Sequence, residues 1–363
     1  MTQDEIIREL LDFIAADDAA ESAFDRLALE IFAYQFKHNE PLRKFCLQRG
    51  RTPRTAKSWR DIPAVPINAF KELTLSCCAR EDAERVFMTS GTTMGGLRGK
   101  SHHPNLAVYD ASMTTHFKQR FMPDRDRIDM GILFPDEDVM PNSSLAHYLA
   151  LALEHFGTDD SRNEMGKSGI DFDALFGWLK RAETTGVPYA LLGASYSFVP
   201  LLDEMKRRDV RFALPAGSRM FDTGGFKGQS RDISADDFYT QLSDSFGVPR
   251  RWCINMYGMT ELSTQFYDNG NEVCPSVKSG PHWIRSRVIN PLTGEDVPRG
   301  DVGVLTHCDL AHFNIVSTIL TEDAGVEVDG GFLLLGRADG EEAKGCSMAV
   351  EEFLKAANVA ATG

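Results

Sequence analysis

The sequence contains no run of uncharged apolar residues long enough to span a bilayer, and its opening, MTQDEIIRELLDFIAADDAAES, lacks the basic start and apolar centre of an export signal. An integral membrane segment is not expected, and a cytoplasmic protein is. Basic charge is also in short supply. Against 53 Asp and Glu stand 39 Lys and Arg, a formal net charge of -14, so a nucleic-acid groove would have to work against the global field. No nucleic-acid partner is expected. The seven cysteines, at 46, 77, 78, 253, 274, 308 and 346, form no CxxC pair and no Cys/His spacing of a tetrahedral metal site. They read as reduced thiols, with room for one reactive member. Internal repeats and low-complexity tracts are missing too.

What is present suits a chain of 363 residues with room for two domains, or one large domain and a small appendage. From Asp4 to about Gly50 apolar residues recur at helical spacing (Ile6, Leu10, Phe13, Ile14; then Phe24, Leu27, Leu29, Ile31, Phe32), predicting two or three amphipathic helices. The prolines of IPAVPINAFKELTL keep residues 62–75 extended or turn-like before any helix begins. Strands are expected at 85–89, 129–134, 189–192, 218–222 and 253–257, with helices at 144–154, 173–184 and 199–208 between them. That alternation predicts α/β architecture with mostly parallel sheet. After about Glu272 the texture changes to short strands with turns at Pro291–Gly294 and Pro298–Gly300, a small β-rich part. A last hairpin, the polar GRADG and a short helix from near Ser347 complete the expectation.

Three segments carry chemistry. Ser90-Gly91-Thr92-Thr93-Met94-Gly95-Gly96 follows an expected strand, and its glycines and hydroxyls suit a polyphosphate. It is not a P-loop: Gly95-Gly96-Leu97-Arg98-Gly99-Lys100-Ser101 falls one residue short of GxxxxGK[ST], and Pro104 blocks the helix that would have to follow. Phe221-Asp222-Thr223-Gly224-Gly225 offers a glycine pair against which a flat ring can lie. In Asn255-Met256-Tyr257-Gly258-Met259-Thr260-Glu261, Tyr257 offers a face for adenine, Gly258 a turn, Thr260 a hydroxyl for phosphate and Glu261 an oxygen ligand for Mg²⁺. Taken singly, Tyr257 also reads as a half-buried core residue and Glu261 as a surface charge.

Followed in order by Thr321-Glu322-Asp323 and Gly336-Arg337-Ala338-Asp339, these segments resemble the acyl-adenylate-forming superfamily of acyl-CoA synthetases, adenylation domains and firefly-type luciferases. Its SGTTG, YGxTE, TGD and GRxD motifs appear here as TSGTTMGG, YGMTE, TED and GRAD, with Met94 where glycine is usual. A narrower resemblance covers nearly the whole chain. YQFKHNEPLRKFC, DIPAVPINAFKE, TSGTT with downstream His102, PNSSLAHYL, FDTGGFKG, YGMTEL and GRADGEEAKGC are similar to the LuxE-type acyl-protein synthetase family.

That resemblance implies an acyl-adenylate-forming (ANL-like) large domain over residues 1–336, β-rich from about 273, and a short hinge and acyl-acceptor segment over 337–363. It implies that ATP and a carboxylic, fatty acid give acyl-AMP, and that Cys346 accepts the acyl group for a partner reductase or other thiol acceptor. Ser90, Gly91, Thr92, Thr93, Gly224, Gly225, Tyr257, Gly258, Thr260, Asp323 and Arg337 are the implied ATP residues. Glu261 is implied for Mg²⁺ and catalysis, and His102, Ser144 and His147 for the substrate. The local sequence leaves the reactivity of Cys346 open: Lys344, Arg337 and the nearby helix start lower a thiol pKa, while Glu341 and Glu342 raise it. Full-length superfamily members place a catalytic lysine in a further domain beyond the hinge, whereas this sequence runs only to Gly363. Lys100, Lys227 and Lys344 are the expected substitutes, with Mg²⁺. A phenylacetate-type acid:coenzyme A ligase and an inactive nucleotide-binding scaffold protein are the rival readings.

Overall fold

Thr2 and Glu5 bond each other's backbone N–H at the start of the helix Gln3–Ala15, so the chain turns helical almost at once. This helix and the next, Glu21–His38, bury Ile6, Leu10, Phe13 and Ile14, then Phe24, Leu27, Ala28, Ile31 and Phe32, along the stripe that their spacing predicts. Asn39 ends the second helix, and its side-chain oxygen accepts from Leu42 N to start Glu40–Gln48. The computed structural model describes residues 1–89, 97–167, 169–225 and 233–357. The chain divides into two units, one of residues 1–115, 259–264 and 280 onward, the other of 116–258 and 265–279.

In the first unit the strands Ile284–Ile289, Val302–Asp309, Thr318–Val328 and Gly331–Arg337 form an antiparallel meander. Two of its connections, 290–301 and 329–330, fall where proline or glycine punctuates the sequence, while 310–317 has neither. The hairpin between the last two strands needs Gly330 at φ +81°, in the left-handed region where glycine costs least. The extended Val65–Pro66 of the proline-rich stretch pairs in parallel with Ile319 and Leu320, and the short helix Ala69–Glu72 follows it. Thus the β-rich part shares a unit with the helical opening.

The final helix runs from Gly340 to Ala356, seven residues earlier than the expected start near Ser347. The polar Glu341, Glu342 and Lys344 masked a buried stripe of Gly345, Cys346, Ala349 and Phe353, which has helical spacing. Gly345 is small by necessity, since a Cβ there would stand 2.7 Å from Pro291 Cγ. Phe353 packs on Phe45 with ring centroids 4.7 Å apart and planes tilted by 57°, and Glu352 pairs with Arg49, which ties this helix to the helix Glu40–Gln48.

The second unit is the expected parallel sheet. Its strands lie in the order Arg162–Asn163, Asp129–Leu133, Tyr189–Ala194, Arg219–Thr223 and Cys253–Tyr257, with antiparallel Phe266–Tyr267 at the edge. The helices Ser144–Phe156, Phe172–Thr185, Ser195–Arg208 and Ala235–Phe246 occupy the crossovers, three of them capped by Ser143, Asp171 and Ser234. Leu175, Leu179, Phe198, Leu201, Phe238 and Leu242 from these helices pack on Leu191 and Met220 of the sheet. Among the described residues no helix is long and apolar enough to cross a membrane.

An ion pair is buried at the edge of this sheet. Lys278 Nζ donates to Asp268 Oδ2 at 2.7 Å and to Asn255 Oδ1 at 2.5 Å, while Ser276 and Asn271 also donate to Asp268. Neither charge reaches water appreciably. Removing one partner of such a pair strands the other. Lys278→Ala is expected to destabilise the protein by about 3–5 kcal/mol in urea denaturation, and Lys278→Met/Asp268→Asn by less.

Candidate active site

The glycine pair and the tyrosine of the second unit come together through strand register. Thr223 is the in-register partner of Met256, so Gly224 and Tyr257 leave the carboxyl ends of adjacent parallel strands side by side. That is where ligands bind in open α/β sheets. Thr223 Oγ1 donates to the Met256 carbonyl at 3.0 Å and locks the two strand ends together. Gly224 takes φ +88°, and a Cβ at Gly224 or Gly225 would meet no atom of the described residues within 4 Å. Tyr257 is buried against Phe266.

Beneath them Asp222 accepts from Ser195 Oγ at 2.6 Å, Tyr239 OH at 2.9 Å and Asn255 Nδ2 at 2.9 Å. Burial pushes its carboxyl up to about 6 despite these bonds. This network escaped sequence reading, because its members lie tens of residues apart and share no spacing.

The first unit holds the continuation of the same motif, Met259–Thr264. Glu261 is 4% exposed, and apart from its own backbone N–H no described group hydrogen-bonds its carboxylate. Burial raises its pKa to about 7, Arg337 and Lys71 oppose the rise, and Asp323 adds to it. A Cβ at Gly99 would stand 3.0 Å from Glu261 Oε1, so the absence of a side chain there admits the carboxylate. Thr89 and Gly99, on either side of the SGTT segment in the sequence, bond each other, with Thr89 N donating to Gly99 O at 3.1 Å and Gly99 N to Thr89 Oγ1 at 3.0 Å. Ser90, Gly91, Thr92 and Thr93 themselves lie outside the described residues.

The two late motifs meet across a hairpin. Asp323 and Arg337 are cross-strand partners, with Arg337 Nε 3.5 Å from Asp323 Oδ1 and Nη1 3.4 Å from Glu322 Oε2. Asn68 bonds the other oxygen of Glu322. Cys346 is 3% exposed, and its Sγ donates to the Thr321 carbonyl at 3.7 Å, which sets the thiol against the TED strand. Burial is the main cause that pushes the thiol up to about 11, and Glu322, Asp323 and Glu342 reinforce it.

The family model for acyl-protein synthetase, LuxE, matches residues 2–355. The chain belongs to the LuxE acyl-protein synthetase family. Two long-chain-fatty-acid–luciferin-component ligases are similar to it. That of Aliivibrio fischeri is 23% identical over 306 residues, 83% of this chain and 78% of its own. That of Vibrio harveyi is 23% identical over 345 residues, 92% and 88%. A 2-hydroxyisobutyryl-CoA ligase, solved in the postadenylation state with 2-HIB-AMP, shares the fold with a TM-score of 0.67 and 16% identity over 88% of this chain and 68% of that one. As a member of its family the chain is an acid–thiol ligase: it activates a carboxylic acid with ATP and passes the acyl group to a thiol.

Several expectations for this LuxE family member are corrected or relocated. His102, implied for the substrate, and its neighbour His103 are placed in regular structure. They lie in the strand Lys100–His103, paired with Arg85–Met88, and both are buried. Burial, then Arg80 and Lys100, lowers the pKa of His102, whose Nδ1 has no hydrogen-bond partner among the described residues. His147 bonds Glu137 at 3.0 Å on the helix that Ser144 begins. Lys344 is exposed, and the start of its helix is six residues from Cys346, so neither offsets burial at the thiol as the local sequence had suggested. Lys100 is exposed at the start of its strand, and Lys227 lies outside the described residues. Lys71, whose charge acts on Glu261, lies in DIPAVPINAFKE but was given no role from the sequence.

The burial of Glu261 has a measurable cost. Its folded pKa of about 7 exceeds the ordinary 4.5, so the folded chain holds a proton that the unfolded chain releases, and stability falls as pH rises from about 4.5 to 7. Glu261→Gln is expected to be more stable than wild type at pH 8 by about 3 kcal/mol at ~1.4 kcal/mol per unit, and level with it at pH 4. Urea denaturation at both pH values checks this; parallel pH profiles for the two proteins would refute it.

Proposed function

We propose that this chain joins MgATP and a fatty acid into acyl-AMP and pyrophosphate, and that Cys346 then takes the acyl group as a thioester for a partner reductase or another thiol acceptor. The contact of Cys346 Sγ with the Thr321 carbonyl supports the second step, because it sets the one cysteine of the terminal GC segment against the motif that the resemblance assigns to the ribose. The names of the two curated relatives support a long-chain acid.

The steps balance simply. A carboxylate oxygen of the acid attacks the α-phosphorus of ATP as the bond to pyrophosphate breaks. Cys346, having lost its proton, attacks the acyl carbonyl, and AMP leaves with the bonding pair. Glu261 fits a hard cation: its carboxylate is buried and lacks a hydrogen-bond partner from any other described group. Bound there, Mg²⁺ would offset charge on the phosphates. In this reading Ser90, Gly91, Thr92, Thr93 and Thr260 serve the phosphates, Gly224, Gly225, Tyr257 and Gly258 the adenine, and Asp323 with Arg337 the ribose.

With a thiol pKa of about 11, Cys346 is protonated at neutral pH in the substrate-free chain. Its alkylation by iodoacetamide should be slower than that of half-exposed Cys78 and Cys274. Incubation with ATP, Mg²⁺ and labelled palmitate should leave a hydroxylamine-labile label on wild type and none on Cys346→Ser. A label that persists on Cys346→Ser would overturn the assignment, and label released only on coenzyme A would favour the ligase of phenylacetate type.

A further inference from the structure

We propose that Asp309 is a positioning residue for adenylation: it fixes the turn that presents Glu261, and so rests on the reading of Glu261 given above. Residues 259–264 leave the motif without entering a strand, so nothing in regular secondary structure sets their path. Asp309 sets it instead. Its Oδ2 accepts from Ser263 N and Thr264 N at 2.8 Å each, and its Oδ1 from Thr264 Oγ1 at 2.7 Å and Ala311 N at 3.0 Å. Four donors fill the acceptor capacity of an ionised carboxylate.

The grip is backed on both sides within the same unit. Thr264 Oγ1 lies 3.0 Å from Ser112 Oγ, which accepts from Trp283 Nε1 at 2.8 Å. Ser263 Oγ lies 2.8 Å from His312 Nδ1. The turn beyond Asp309 is itself held by the second helix, where Gln35 donates to the Phe313 carbonyl at 2.9 Å and Asn39 to that of Ile315 at 3.0 Å. Force on Glu261 is thus carried through Ser263 and Thr264 to Asp309 and on to the amino-terminal helices.

A fully buried carboxylate is a costly way to hold a turn that an amide or a hydroxyl could merely cap. Only the ionised acid accepts at all four points. Asparagine would turn an N–H₂ toward either Ala311 N or the Ser263 and Thr264 amides, and backbone donors cannot rotate away. Groups that orient a metal ligand typically change metal affinity by about 10–100-fold when lost.

The test is calorimetric titration of Mg²⁺ into the ATP-saturated protein, with circular dichroism as the folding check, for Asp309→Asn, Thr264→Val and Glu261→Gln. Asp309→Asn should raise the Mg²⁺ needed for half-saturation by about tenfold while ATP affinity without Mg²⁺ stays at wild type. Thr264→Val, which keeps both backbone bonds, should show a smaller shift in the same direction and decides the matter if Asp309→Asn does not fold. Wild-type Mg²⁺ dependence in the Asp309 and Thr264 variants, with Glu261→Gln impaired, would overturn the role of Asp309 alone. Wild-type Mg²⁺ dependence in Glu261→Gln would overturn the reading of Glu261 and this inference with it.

Discussion

A carboxylate taken out of water must be met by donors or by a cation, and the first unit meets its two buried acids in opposite ways. Asp309 receives four hydrogen bonds and is saturated. Glu261, three residues before one of those donors, receives none from any other described group. The unit spends its donors on the residue that holds the turn and withholds them from the residue at its tip. Such an acid is primed for a hard cation. The amino-terminal helices matter here because Gln35 and Asn39 brace the far end of the same hydrogen-bond chain.

The carboxyl-terminal segment follows a related logic. Asp323 faces Arg337 across a hairpin, and Cys346 rests on the carbonyl of Thr321, so three features separated in sequence converge on one strand. The thiol in this position is buried and surrounded by acid. A buried, protonated thiol of this kind reacts slowly with adventitious electrophiles in the substrate-free chain.

The family was legible in the sequence, since FDTGG, YGMTE, TED and GRAD are each confined to a few adjacent residues. The parallel strands and their crossovers were legible for the same reason: apolar runs, helical periods and glycine or proline turns are local signals. Partnerships across long separations were not. Nothing near Asp309 announces Ser263 and Thr264, and nothing near Lys278 announces Asp268 as a buried partner. The final helix was read too short because Glu341, Glu342 and Lys344 disguise a stripe that only docking on Pro291 and Phe45 reveals. The burial of His102 and His103 likewise depends on the pairing of Lys100–His103 with Arg85–Met88, which no local pattern announces.

Adenylation and thiol acylation are separable in this account, because Glu261 and the nucleotide motifs serve the first and Cys346 only the second. Exchange of labelled pyrophosphate into ATP reads the first step by itself. The exchange should require both Mg²⁺ and a fatty acid, and should survive unchanged in Cys346→Ser. Absence of exchange with every acid tried, or its loss in Cys346→Ser, would contradict the account.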